Sequence, residues 1–155
     1  MAYRSKVYMR LEGLEEIRKR ISGLENHLKK RLLVRAMKVG LLKLQAIAEA
    51  KTPTGNRIRV VAHRGHPGYL KGSFRIMNMR SRNPSLIEMQ LQNTAYTALW
   101  VEYGHKIVKG KGSKKRIVGS AAASPFMRPA FDESAEMIIE TIRQAIFFEI
   151  EKKGL

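Results

Sequence analysis

Apolar positions recur along this chain with two different periods, and the period changes mark its elements. Residues 6–11 alternate apolar and polar, as a short first strand does. Leu14, Ile17, Ile21, Leu24 and Leu28 then recur at steps of three and four, which predicts an amphipathic helix. Leu33, Met37, Gly40, Leu44 and Ile47 resume that spacing after a slip in phase. Ser22-Gly23 is placed to divide the run into two helices, because glycine costs about 1 kcal/mol inside a helix and serine caps a new one. The helix is expected to stop near Lys51, since Pro53 disfavours helical geometry at Thr52.

Further on the pattern shortens. Residues 52–56 have turn composition, and residues 57–72 read as a long loop that holds a possible short strand at 57–61. Residues 73–79 and 86–91 both alternate around the Asn83-Pro84 turn, which predicts a hairpin. Aromatic and β-branched residues at 95–103 predict the next strand, or a short helical turn feeding one. Arg116-Ile-Val118 would be its return across a loop. From Met127 to about Lys152 runs a final helix, with Phe131, Ala135, Ile138, Ile142, Ala145 and Ile146 on one stripe. Pro125 and Pro129 fall where that helix begins, the part of a helix that tolerates proline. The expected fold class is α+β: one domain over residues 1–155, with a small, mostly antiparallel sheet packed against long N-terminal helices and one C-terminal helix.

Charge adds a second layer. The chain carries a net +17, and residues 52–131 hold fourteen Lys/Arg against two acids, Glu88 and Glu102. Such a field draws polyanions, acidic proteins or an anionic surface, and it also simply keeps a protein soluble. The loop at residues 105–119 concentrates it, with Lys106, Lys109, Lys111, Lys114, Lys115 and Arg116 spaced by glycines. Repulsion and loose backbone predict that this arm is disordered when free. It is then expected to stay solvated, or to order against DNA phosphates or an acidic neighbour.

Candidate chemistry is thin. His63 and His66, with His105 or Glu102, form a weak metal pattern: no helical register holds both histidines and no third ligand stands at a telling spacing. Gly110-Lys-Gly-Ser-Lys-Lys115 lacks the residue order of a phosphate-binding loop. No Ser-His-Asp or Cys-His set stands out, and the acids in the central part are isolated, so catalysis and cofactors are not expected. The chain has no cysteine, which removes disulfides and thiolate metal sites. No run reaches the roughly 18 apolar residues of a membrane span, and the start lacks a signal-peptide pattern, so the expectation is a cytosolic product, or one that leaves the cell only when the cell bursts. Tyr69, Phe74, Tyr96, Trp100 and Tyr103 match no RNA-recognition pattern. Trp100, Tyr103, Phe126 and Met127 individually suit a core; flanking a mobile loop and a proline corner, they suit an apolar patch completed by a second subunit.

Four segments carry a resemblance: Thr52-Pro-Thr-Gly55, Gly68-Tyr-Leu-Lys-Gly-Ser73, the Tyr96–Gly104 segment with its Val-Glu-Tyr-Gly ending, and Pro125-Phe-Met-Arg-Pro-Ala130. In this order and spacing the chain resembles small head–tail joining, or tail-completion (neck), proteins of tailed bacteriophages, the group that includes the minor tail protein Z type. It departs from them in the insertion at residues 56–67 and in His105, where threonine is common. The resemblance implies a non-enzymatic virion component, made in the host cytoplasm, with no membrane contact. Copies would form a ring, taken as a hexamer, between the head connector and the tail tube, with genomic DNA passing through. Trp100, Glu102, Tyr103, Phe126, Met127 and Arg128 would then form the subunit interface, Arg128 pairing with an acid across it. Lys106, Lys109, Lys111, Lys114, Lys115 and Arg116 would meet a polyanion or an acidic partner. The alternatives from other classes are a basic nucleic-acid-associated binding protein and, more remotely, an enzyme using the His63/His66 loop.

Overall fold

The computed structural model describes residues 5–9, 22, 26–54, 69–79 and 87–152. Within them the chain builds an α+β fold from five strands and three α-helices. Strand β1 (Ser5–Met9) precedes helix α1 (Asn26–Lys51), and β2 (Phe74–Met79) and β3 (Glu88–Asn93) follow. A short helix α2 (Ala98–Tyr103) leads into the hairpin β4 (His105–Lys109) and β5 (Arg116–Ala121), and α3 (Met127–Glu151) ends the order. One antiparallel sheet has the order β1-β3-β2; β4 and β5 form a separate two-stranded sheet.

The two long helices make the core because each has a continuous apolar stripe and neither can leave it in water. On α1 the buried positions are Leu32, Ala36, Met37, Leu41, Leu44 and Ala48; on α3 they are Met127, Ala130, Ser134, Ile138, Ile142, Ile146 and Ile150. The helices lie antiparallel. Arg35 meets Glu149 at 3.6 Å, Lys43 meets Thr141 at 3.3 Å and Lys51 meets Glu133 at 2.6 Å, so α1 ascends as α3 descends. These surface pairs contribute little energy each and mainly report the register.

Gly40 sits at a close approach of the two helices. A β-carbon there would collide with Ile142, whose Cδ1 lies 2.7 Å away, and would press Ile138 Cγ2 at 3.3 Å. Ile142 and Ile138 are themselves fully buried and cannot swing aside. Overpacking typically costs 1–3 kcal/mol. A Gly40→Val variant should therefore lose about 2 kcal/mol in urea denaturation, and an unchanged midpoint would show that the interhelical gap can widen freely.

Sheet register sets which faces are dry. Paired residues share a face, so Phe74 with Asn93, Ile76 with Leu91 and Asn78 with Met89 point one way, and Phe74, Leu91 and Met89 join the helical core. Gln90 and Gln92 occupy the other face and are nonetheless buried. Gln90 Nε2 donates to Gln92 Oε1 at 3.1 Å, and Gln92 Nε2 in turn donates to Met77 Sδ. Sequence alternation marks these positions as solvent-facing. The difference arises because β3 is the central strand, flanked on both edges.

Several sequence expectations change here. The residue 95–103 segment is helical at Ala98–Tyr103, as its second alternative had it, and not a strand. The α3 stripe runs through Ala130 and Ser134 in place of Phe131 and Ala135, which are only half-buried. The loop at 105–119 is a paired hairpin and not a disordered arm, because Ile107, Val108, Ile117 and Val118 supply β-branched residues on both strands. Of the helical run expected from Leu14 to Leu28, residues 14–21 and 23–25 lie outside the described residues, as do the strand at 57–61, the Asn83-Pro84 turn and His63 with His66.

Candidate functional site: a carboxylate-braced elbow and a basic hairpin

Helix α3 begins with a problem common to all helices: its first N–H groups have no partner inside the helix. Phe126 at the cap position has no side-chain acceptor to offer. Pro129 removes one donor, since proline has no N–H. The remaining donors turn to Glu102 on α2. Its Oε2 accepts from Phe126 N at 2.8 Å and Met127 N at 3.0 Å, and its Oε1 accepts from Arg128 N at 3.1 Å. A carboxylate from a distant helix thus caps α3, where the helix dipole also favours negative charge.

The Glu102 side chain is 0% exposed. Burial alone pushes its pKa up, but the backbone N–H groups of Phe126, Met127 and Arg128 and the Arg128 side chain outweigh it, leaving the carboxyl below the usual glutamate value. Arg128 closes the arrangement, its Nε lying 3.2 Å from Glu102 Oε1 and its guanidinium carbon 4.6 Å from the centre of the Tyr103 ring. The cation is held between a buried anion and an aromatic face. Ser124 N donates to Val101 O at 2.8 Å, tying the approach to α3 directly onto α2.

This geometry corrects part of the expected interface. Phe126 is 0% exposed and stacks edge-on against Phe74, with ring centres 6.1 Å apart; Met127 is buried beside it. Glu102 is consumed by the helix cap, and Arg128 pairs with this acid of its own subunit. Apolar packing and orphan N–H groups draw Phe126, Met127 and Glu102 inward, while the Arg128 side chain stays 53% exposed. Trp100 and Tyr103 stay outside, Tyr103 being 58% exposed. Trp100 belongs to an aromatic row: Tyr69 contacts Tyr96 at 6.3 Å, Tyr96 meets Trp100 edge-on at 5.7 Å, and Trp100 lies 5.4 Å from the His105 ring. The spacing of Tyr96 and Trp100, one helical turn apart, was the available signal.

His105 is also the first residue of the hairpin. Gly104 makes the joint, with φ +72° and no room for a side chain: a β-carbon would lie 2.7 Å from Ala121 O. Every residue of β4 is exposed, and all of β5 except Ala121, which is half-buried. Lys106, Lys109, Lys111, Lys114, Lys115 and Arg116 project from it, and none of them has an ion-pair partner among the described residues. Val108 and Ile117 are directly paired and 50% and 62% exposed. A two-stranded sheet with both faces wet is marginal by itself.

Among the described residues no group of three or more His, Asp or Glu is placed to hold a metal ion, and no helix is long and apolar enough to cross a membrane. Comparison with protein families, with curated proteins and with solved structures found no match.

Proposed function

We propose that this chain is a structural subunit of the head–tail junction of a tailed bacteriophage, assembling as a ring, taken as a hexamer, that joins the head connector to the tail tube. The observation that carries the reading is the β4–β5 hairpin: a cationic, partly apolar arm, exposed on both faces, mounted on an elbow that its own subunit holds rigid. Two of the four segments behind the resemblance, Tyr96–Gly104 and Pro125–Ala130, meet at Glu102 and form that mount. Such a part serves docking. The neighbouring head-connector and tail proteins are the further partners, and the channel DNA is available to the lysines.

The test is assembly. Electron microscopy of the purified chain, alone and with connector and tail-tube proteins, should show rings, and a Val108→Asp/Ile117→Asp variant should keep its circular dichroism but lose them. A phage deleted for this product should accumulate full heads and unattached tails, which the added protein joins. Absence of rings under all these conditions, with no joining, overturns the reading.

The row Tyr69–Tyr96–Trp100–His105 beside six cations favours a second reading, a nucleic-acid-associated binding protein, since aromatic faces next to a basic track suit unpaired bases. Titration with salt separates the two. A nucleic-acid binder holds duplex or single-stranded DNA tightly and loses affinity log-linearly with salt, whereas a ring subunit shows weak retention only.

A further inference from the structure

Helix α3 has the opposite charge character to the hairpin: six acids against two arginines, where residues 105–119 hold six cations and no acid. The acids are not equivalent. Glu133 is engaged by Lys51 and Glu140 faces Arg143, but among the described residues neither Asp132 nor Glu136 has an ion-pair partner. Both are exposed, and with Ile139 they fall at i, i+4 and i+7, a ridge opposite the buried Ala130, Ser134 and Ile138. Ile139 is 47% exposed. The ridge therefore presents two unpaired carboxylates followed by one apolar side chain.

The hairpin presents the complement. Lys106 and Val108 lie on the same face of β4, two residues apart, and Ile117 is the cross-strand partner of Val108. That face offers an apolar pair with a cation beside it. DNA phosphates would satisfy the lysines but leave Val108 and Ile117 unmatched, whereas a helix ridge with both carboxylates and an isoleucine matches both kinds of group.

We infer that the partner of the hairpin is a second copy of this chain, with Lys106, Val108 and Ile117 of one copy seated across Asp132, Glu136 and Ile139 on α3 of the next. The two surfaces are different patches of one chain, so the contact is head-to-tail and each copy both gives and receives. A contact of this kind closes into a ring when its rotation divides the circle, and otherwise winds into a filament. The inference rests on the ring reading above and supplies its subunit contact.

The absence of cysteine makes a clean test possible. Val108→Cys and Ile139→Cys proteins, one of them labelled with nitrogen-15, are mixed and oxidised, and the dimers are weighed by mass spectrometry. Dimers of mixed mass should exceed both homodimers several-fold. Asp132→Lys/Glu136→Lys in the Ile139→Cys protein should reduce the mixed dimer several-fold, and Lys106→Glu in its Val108→Cys partner should restore it. Statistical proportions, or no dimers at all, overturn the inference. So does a Lys106→Glu change that abolishes retention on duplex DNA while leaving the mixed dimer unaltered, which would give the hairpin to nucleic acid. Mixed dimers without head–tail joining would uphold the contact and sink the assigned role; joining without mixed dimers would do the reverse.

Discussion

A Glu102→Ala protein should be less stable than the wild type by about 2–3 kcal/mol, the loss of a helix cap together with buried donors left without an acceptor. The change strands three backbone N–H groups at the start of α3 and leaves Arg128 without its anion. Glu102→Gln should recover only part of the loss. All the groups around the carboxylate are donors, and an amide turns one of its two acceptor positions into another donor. The effect has a defined pH dependence. Because the folded pKa of Glu102 is lowered, its contribution is fully present above the unfolded glutamate value of about 4.3 and fades as pH falls through the lower folded value. Urea denaturation at pH 7 and at successively lower pH should show the wild-type and Glu102→Gln midpoints converging with acid. A constant gap would mean that shape and not ionisation gives Glu102 its effect.

Phe126→Asp should fail to fold. Truncating a buried phenylalanine alone costs 3–5 kcal/mol, and the aspartate adds an unpaired charge in a site walled by Phe74 and the first turn of α3. The total approaches or exceeds what a domain of this size has to lose. Two-dimensional NMR should show collapsed amide dispersion. Tyr103→Asp, by contrast, sits on an exposed ring and should leave dispersion intact, losing mainly the stacking of Arg128. A well-dispersed Phe126→Asp spectrum would mean that the residue can leave the core, and would return it to the list of surface anchors.

These two residues also show what the sequence made legible. The proline-braced corner and the aromatic segment were recognisable as units because their signals are local. Which of their residues turn inward was not, since the deciding bonds join Glu102 to N–H groups 24 to 26 positions later. The β2–β3 hairpin and α3 followed from periodicity, which is strong over long or well-alternating segments. Residues 98–103 are too short for period to separate helix from strand, and the aromatic and β-branched content of Trp100, Val101 and Tyr103 argued for the wrong one. In the basic loop, lysine and glycine masked the short apolar pairs 107–108 and 117–118, of which Val108 and Ile117 face each other in the ladder. The buried Gln90 and Gln92 depend on their strand being central, a property of sheet order that no alternation encodes.

Both feet of the hairpin stand on tied ground, one at Gly104, two residues after Glu102, the other joined to α2 through Ser124 and Val101. With so little slack at its base, the arm behaves as a crank. A load applied at its tip would pass through the buried carboxylate into the first turn of α3, the helix end that Glu102 caps.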